Sequence, residues 1–269
     1  MRIILSTGTL HTYPLEEIFF VAKEAGFDGL ELVLNKQICE KSISSSLPRL
    51  FLMLPVYSLH APFMRYKGWG GGGRSLLRTV ELAMEFSIPL VNFHPPCWVN
   101  LEIGFWHWLK GIKDFQEEVG RDNVIVTIEN MPLLGGELRF NGYIWGRTRN
   151  LLQFITERNL YLTFDCTHMG THKADFIDDF SAFYATGRIK NIHLSDYGHG
   201  GEHLLPGRGE LPLTRFLLQL GRFNYKGLLT LESMPSELPK VQEDIIRTLR
   251  DIVEYLRAAI EIKQGVEVT

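Results

Sequence analysis

Apolar runs of strand length alternate with amphipathic helical segments eight times along the chain. The predicted strands are 3–5, 28–34, 56–60, 90–94, 123–130, 160–168, 189–194 and 227–233. The predicted helices are 14–27, 46–54, 75–86, 103–119, 148–158, 175–186, 212–220 and 240 to about 262. The glycine-rich segment 65–74 (RYKGWGGGGR) is predicted to be an irregular, mobile loop. Strands that are apolar on both faces and alternate with helices indicate a parallel sheet covered by helices.

Eight strand-helix units in one chain of this length are typical of a closed barrel. We therefore predict the α/β class and a single (β/α)8 TIM barrel, with one domain over residues 1–269. An open doubly wound sheet is the structural alternative. It is disfavoured because no GxGxxG motif follows the first strand and no change of composition marks a linker.

Composition indicates where the protein is located and which partners it has, but not which reaction it catalyses. The 269 residues are 45% hydrophobic and 22% charged, which suits a soluble domain with a sizeable core. The net charge of −3 gives no bulk attraction to nucleic acid or anionic membranes. Three cysteines without a CxxC motif, and no signal peptide or membrane-spanning run, favour a cytoplasmic location. We expect neither nucleic acid nor membrane among the partners, and homo-oligomerisation is left open.

Ionisable side chains stand at the carboxyl end of seven predicted strands. They are Glu31, His60, His94, Glu129, Asp165, His193 and Glu232. In a parallel barrel these strand ends meet on one face, where barrel active sites lie. Crowded carboxylates resist ionisation unless a cation lies among them, so the pattern predicts a divalent metal site. Any one of these residues, taken alone, could be a hydrogen-bonded structural residue. Glu31 in particular is expected either to be structural or to bond to a metal ligand without binding the metal itself.

Eight fragments of the chain, in order, resemble the xylose-isomerase-like barrel superfamily. They are GFDGLEL, LHAPF, NFHPP, IEN, FDCTH, NIHLSD, HLLPGRGEL and TLES. The superfamily contains sugar and sugar-phosphate isomerases and epimerases, and the endonuclease-IV-type apurinic endonucleases. The resemblance implies that Glu129, Asp165, His193 and Glu232 bind one divalent cation, and that Glu129 and Glu232 act as acid and base. Positions matching further zinc ligands of the endonucleases are His60, His94, His168 and His203.

The chain departs from the superfamily pattern at two positions of the segment 189–211. Gly201 stands where the endonucleases carry an Asp ligand, which leaves a third metal position incomplete in sequence. Arg208 stands where many members carry Glu in a Pro-Gly-Glu-Gly turn. Its guanidinium could bind a phosphate or carboxylate of the substrate. It could equally be a solvated charge on the protein surface. His168 and Arg208 are therefore the candidate substrate-binding residues.

The leading hypothesis is a metal-dependent isomerase or epimerase of a small sugar, sugar phosphate or related polyol ketone. Glu129 and Glu232 would transfer the proton through an enediolate. The cofactor would be a divalent ion, Zn²⁺, Mn²⁺, Mg²⁺ or Co²⁺. A zinc-dependent phosphodiesterase of the apurinic-endonuclease type is the alternative, and a non-catalytic sugar-binding barrel is the third. The sequence does not name the sugar.

Overall fold

The barrel strands form where the apolar runs predict them. The computed structural model describes residues 1–40, 47–135, 138–173 and 175–261. Its strands are β1 (Arg2–Ser6), β2 (Gly29–Val33), β3 (Val56–His60), β4 (Leu90–Phe93), β5 (Ile125–Glu129), β6 (Tyr161–Asp165), β7 (Ile189–Leu194), β8 (Asp196–Gly198), β9 (Gly201–Leu204) and β10 (Leu228–Leu231). Eight of them close in parallel in the order β1-β10-β7-β6-β5-β4-β3-β2, while β8 and β9 form a separate hairpin. The predicted TIM barrel is confirmed.

Helices cover the outside of the barrel, with one exception. They are α1 (Leu15–Glu24), α2 (Lys36–Glu40), α3 (Leu47–Met53), α4 (Gly72–Glu85), α5 (Ile103–Gly111), α6 (Phe115–Glu118), α7 (Thr148–Glu157), α8 (Cys166–His172), α9 (Ile177–Tyr184), α10 (Leu213–Arg222) and α11 (Gln242–Glu261). The exception is α8, which follows β6 directly and carries His168 into the site. In α10, positions 213, 216, 217 and 220 are buried, which is the spacing of one helical stripe facing the core. Within the described part of the chain, no helix is long and apolar enough to cross a membrane.

The interior of the barrel is layered. At the amino-terminal end, Ile4, Leu90 and Leu228 form a small apolar cluster of their own. Above it lies what we call the polar belt, six fully buried short polar side chains: Ser58, Asn92, Thr127, Thr163, Asn191 and Thr230. Two residues later on each strand come His60, His94, Glu129, Asp165, His193 and Glu232, here called the strand-end layer. Since side chains alternate along a strand, residues two apart face the same side.

One predicted strand ends earlier than its sequence pattern indicates, and one predicted helix is divided in two. The strand predicted over 160–168 stops at Asp165, because the Asp165 carboxylate accepts a hydrogen bond from the His168 backbone N–H and caps α8. The helix predicted over 103–119 is two helices, and Asp114 caps the second one through the amides of residues 116 and 117. The predicted ends near residues 46 and 262, and the single domain over 1–269, extend outside the described residues and stay predictions.

Helix α4 begins within the glycine-rich segment, so the prediction of an irregular loop over 65–74 is wrong from Gly72 onward. A Cβ on Gly72 would come 2.2 Å from the ring of Phe105, and a Cβ on Gly73 would come 2.8 Å from Trp108. Glycine at both positions lets α4 lie directly against α5. Trp69, within the same segment, is also buried.

Candidate metal centre

The six residues of the strand-end layer, together with His168 of α8 and His203 of β9, form three adjoining groups of predicted site residues. The central group is Glu129, Asp165, His193 and Glu232; the His60 group is His60, His94 and Glu129; the His203 group is Asp165, His168 and His203. Within each group the potential ligand atoms lie within 4.8 Å of one another. Glu129 belongs to the first two groups and Asp165 to the first and third, so the three form one continuous cluster.

The central group has the spacing of donors around one cation. The Nδ1 atom of His193 lies 2.8 Å from Glu232 Oε2, 3.5 Å from Glu129 Oε2 and 3.8 Å from Asp165 Oδ2. Donors bound to one ion at about 2.1 Å are roughly 3–3.5 Å apart. His193 Nδ1 and Asp165 Oδ2 are buried and, within the described residues, make no hydrogen bond of acceptable geometry. Such orphaned atoms are costly unless something binds them, and these N and O donors fit a divalent cation.

Asp165 is positioned by the residues around it. One carboxylate oxygen, Oδ1, caps helix α8, which leaves Oδ2 directed at the cluster. The Asn130 side chain holds the Asp165 backbone on both sides: it accepts from the N–H at 2.8 Å and donates to the carbonyl at 2.9 Å. The strand-to-helix turn that presents this carboxylate is therefore fixed by hydrogen bonds at three points.

Glu31 supports His193 rather than joining a metal group. Strand β2 continues two residues beyond Glu31, and Glu31 pairs in register with Ser58, one layer below His60. Glu31 Oε1 lies 3.0 Å from His193 Nε2. Its Oε2 accepts hydrogen bonds from Ser58 at 2.7 Å and Asn191 at 3.1 Å. A carboxylate on one imidazole nitrogen directs the other nitrogen, Nδ1, to the central group.

The His60 group is oriented in the same way. His60 Nδ1 lies 2.9 Å from the Ala61 carbonyl oxygen, so its Nε2 faces His94 Nε2 at 3.1 Å and Glu129 Oε2 at 3.4 Å. His94 is about one-fifth exposed and forms the outer edge of the cluster. Asn92 of the polar belt donates to Glu129 Oε2 at 2.5 Å, which fixes the carboxylate that two groups share.

The His203 group offers three potential ligands, none of which comes from residue 201. His203 stands on β9, and its Nδ1 lies 3.2 Å from Ser195 Oγ and 3.3 Å from the Glu232 carbonyl oxygen. The carboxylate of this group is that of Asp165, which the central group shares. The backbone of His203 has φ 54°, in the left-handed region that few residues other than glycine adopt. The hairpin thus holds His203 over the barrel mouth in a strained conformation.

Opposing charges balance in the cluster. Burial opposes ionisation of Glu129, but the imidazoles around it, His193 foremost with His94 and His168, together outweigh burial and hold the Glu129 pKa well below its usual range. Burial opposes protonation of His60 and His168 as well, but the surrounding carboxylates together raise each pKa to about 9, chiefly Glu129 for His60, and Asp165 and Glu129 for His168. Both imidazoles therefore hold protons at pH 7 in the metal-free protein, and a bound cation would displace them.

A cavity of about 430 Å³, here called the site cavity, opens onto the cluster. Glu129, Glu232 and His168 all line it. Its other walls are largely apolar and are formed by residues that include Val33, Phe63, Met64, Tyr66, Met234 and Pro235. Among the described residues that line it there is no Lys or Arg. It is a pocket of substrate size beside the candidate ligands.

Arg208 lies away from this cavity. Its guanidinium is about half exposed and forms an ion pair with Glu237 at 3.2 Å, and it also donates to the Glu237 carbonyl oxygen at 3.0 Å. Arg208 is not among the residues lining the site cavity. A role for Arg208 in substrate binding stays a prediction, whereas His168 does line the cavity.

The polar belt is the part of the site that sequence reasoning missed. Its members bond to one another and to the cluster: Thr127 and Thr163 hydroxyls lie 2.8 Å apart, and Thr230 donates to Asn191 at 2.7 Å. The signal was present as a Ser, Thr or Asn two positions before each strand-end residue, as in SLH, NFH, TIE, TFD, NIH and TLE. Through Asn92 the belt holds Glu129, and through Ser58 and Asn191 it holds Glu31.

Comparison with known proteins agrees with this architecture. An uncharacterized protein of Mycobacterium leprae is 25% identical over 269 residues, covering 90% of this chain and 92% of that one. A D-tagatose 3-epimerase-like protein superposes with a TM-score of 0.69 at 21% identity, covering 97% of this chain and 100% of that one. D-psicose 3-epimerase from Clostridium cellulolyticum H10 superposes with a TM-score of 0.72 at 12% identity, covering 97% and 100%. At these identities the structural likeness shows the fold.

The family assignment comes from the sequence itself. Residues 66–259 match the family described as xylose isomerase-like TIM barrel. The matched segment is well over half of the chain and contains seven of the eight residues in the three candidate metal groups. The chain therefore belongs to the xylose isomerase-like TIM barrel family.

Proposed function

We propose that the protein is a divalent-metal-dependent isomerase or epimerase of a small sugar, sugar phosphate or related polyol ketone. One observation carries the proposal: Glu129 and Glu232 line the same cavity and both flank His193 Nδ1, at 3.5 and 2.8 Å. The similarity to proteins named as sugar 3-epimerases supports it. We propose a cytoplasmic location, with small carbohydrates rather than nucleic acid as partners.

The central group would hold the ion, which when bound polarises a substrate carbonyl and acidifies the neighbouring C–H. Glu129 and Glu232 are ionised, and so available to accept that proton, because the surrounding imidazoles, His193 foremost, together outweigh burial and hold both pKa values below the usual range. Asn92 donates to Glu129 at 2.5 Å and Ser6 donates to Glu232 at 3.2 Å, so each carboxylate is held in place.

The reaction outcome depends on which carboxylate returns the proton. Removal by one and return by the other, on the opposite face, inverts a carbon and gives epimerisation. Return by the same carboxylate to the adjacent carbon, together with passage of the hydroxyl proton from one substrate oxygen to the other, gives aldose-ketose isomerisation. Ser233 offers a further contact, because it lines the site cavity and its buried hydroxyl has no hydrogen-bond partner among the described residues. A substrate hydroxyl would supply that partner.

The test is turnover of a panel of sugars and sugar phosphates by three variants. Glu129→Gln and Glu232→Gln should each lower kcat by about 10²- to 10⁴-fold, the range for loss of a general acid or base. Glu254→Gln, an exposed site on α11, is the matched control and should keep full activity. Chelation should abolish activity and added divalent metal should restore it. Full turnover by both site variants would refute the mechanism.

The second candidate is a metal-dependent phosphodiesterase of the apurinic-endonuclease type. It is favoured by one specific observation, the continuity of three ligand groups that share Glu129 and Asp165. Multinuclear centres suit displacement at phosphorus, because separate ions stabilise the attacking and leaving oxygens. Metal analysis separates the two candidates. Two to three tightly bound zinc ions with cleavage of abasic-site DNA would favour the phosphodiesterase, and one exchangeable ion would favour the isomerase.

A further inference from the structure

A second cavity, here called the side cavity, adjoins the site cavity. It measures about 380 Å³ and shares Phe63, Met64 and His94 with the site cavity as lining residues. Its remaining walls come from the segment after β3, the start of α4, the end of β4 with the segment after it, the first turn of α5, and Tyr143. A molecule whose reacting atoms lie beside the cluster could therefore extend past His94 into the side cavity.

The amino-terminal end of α4 forms one wall of the side cavity. Gly70 and Gly72 line it, and the N-cap residue Gly71 provides no side-chain cap. The backbone N–H groups of residues 72–74, in the first turn, have no carbonyl partner within the helix. They lie at the positive end of a 14-residue helix dipole, an arrangement that attracts anions.

Three cationic side chains lie in the segment that leads into this helix and its first turn. A Cβ on Gly71 would have the Arg65 guanidinium as its neighbour, at 4.0 Å, and Arg65 itself lines the side cavity. Lys67 and Arg74 lie in the same segment, and all three are exposed. None of the three forms an ion pair with a carboxylate of the described residues. The one carboxylate lining the cavity in those residues, Glu102, is engaged by the Cys97 backbone N–H at 2.8 Å.

A buried hydroxyl independently indicates a ligand here. Ser75, at the end of the first turn of α4, is only 4% exposed and lines the side cavity. Its Oγ has no hydrogen-bond partner in the part of the chain that the structure describes. Buried hydroxyls are rarely left without a partner, and a ligand oxygen in the cavity would satisfy this one.

We propose that the side cavity is an oxyanion subsite that binds a phosphate or carboxylate group of the substrate. The first-turn N–H groups, Ser75 Oγ and the Arg65 guanidinium are its donors, a set that matches tetrahedral or planar oxyanions. The substrate is then a sugar phosphate or sugar acid whose carbonyl end lies at the metal centre. Assignment to a substrate rests on the proposed function; anion binding does not.

The first experiment measures binding of inorganic phosphate to the metal-loaded protein by calorimetry. Arg65→Gln should weaken binding about 10- to 100-fold, and Ser75→Ala several-fold. Ser75→Ala removes an unpartnered hydroxyl, so its melting temperature should not fall. Arg121→Gln removes an equal charge just before β5, at the opposite end of the barrel, and should change binding less than 2-fold. Undetectable binding, or equal binding in all variants as expected for phosphate held only by the metal, would overturn the proposal.

The second experiment tests the substrate class. In the wild type, kcat/KM should be more than 10-fold higher for a ketose phosphate or a sugar acid than for the matched neutral ketose. In Arg65→Gln the ratio of the two kcat/KM values should approach one. Methylphosphonate and acetate as competitors distinguish a phosphate site from a carboxylate site. Turnover of neutral sugars without any anionic preference would overturn the subsite while leaving the isomerase proposal standing. Arg65-dependent phosphate binding with no sugar turnover would support the subsite and refute the isomerase. Arg65-dependent displacement of phosphate by abasic-site DNA would overturn the small-molecule assignment.

Discussion

Replacing Glu31 with Gln should weaken metal binding although Glu31 belongs to none of the three metal groups. Glu31 is fully buried and contacts three polar side chains. Its Oε1 lies 3.0 Å from His193 Nε2, and its Oε2 accepts hydrogen bonds from Ser58 and Asn191. A glutamine has one acceptor oxygen and one NH₂ group. If the oxygen faces His193, the NH₂ faces the Asn191 donor; if the NH₂ faces His193, two N–H donors oppose each other there. One buried donor is unsatisfied in either orientation.

The expected magnitude follows from that mismatch. Losing a charged acceptor and leaving one buried donor unpaired costs about 1.5–3 kcal/mol, or about 10- to 150-fold in Kd. Calorimetric titration of metal-free Glu31→Gln with Zn²⁺ and Mn²⁺ measures it directly. Glu85→Gln, an exposed change on α4, is the matched control and should bind like wild type. A Glu31→Gln variant that melts cooperatively and binds metal within 2-fold of wild type would refute the role assigned to Glu31.

Three further predictions concern protons, positioning and packing. The pKa of both His60 and His168 rises from 6.5 to about 9 in the metal-free fold, so the stability they contribute is present below pH 6.5 and lost as pH rises to about 9. Chelated protein should therefore melt at progressively lower temperature across that window while metal-loaded protein does not, and a level melting temperature would contradict the shifts. Asn92→Leu removes the donor to Glu129 and should lower kcat about 10-fold with the fold intact by circular dichroism; unchanged kcat would contradict its positioning role. Phe164→Ala removes one ring from a fully buried aromatic cluster and should reduce the free energy of unfolding by about 3–5 kcal/mol in urea titrations. A reduction below about 1.5 kcal/mol would contradict this, because it would mean that neighbouring side chains fill the cavity.

The barrel and the six residues of its strand-end layer could be predicted from sequence because both follow from short repeats in the pattern of apolar and polar residues. Strand β7 has the predicted bounds, Ile189–Leu194, and His193 lies in the cluster as its position indicates. The period-two pattern that places Glu129 in the layer also places Thr127 in the polar belt, so the belt was within reach of the same reasoning.

Features set by single capping or packing contacts could not be predicted in this way. A strand pattern cannot show that Asp165 caps a helix, because that depends on where the next residues turn. The start of α4 at Gly72 depends on Phe105, more than thirty positions away along the chain. Likewise, the sequence alone predicts Arg208 as a cation available near the site, whereas in the structure Arg208 forms an ion pair with Glu237.

Solvent deuterium uptake tests the central claim most directly. Sugars and sugar phosphates that carry a carbonyl are incubated in D₂O with metal-loaded, chelated and Glu232→Gln protein, and label at the carbon next to the carbonyl is followed by NMR. The account predicts uptake with metal-loaded wild type, none after chelation, recovery on adding metal, and at least a 100-fold slower rate in the variant. Uptake that persists at full rate in chelated protein would contradict a metal-dependent proton transfer.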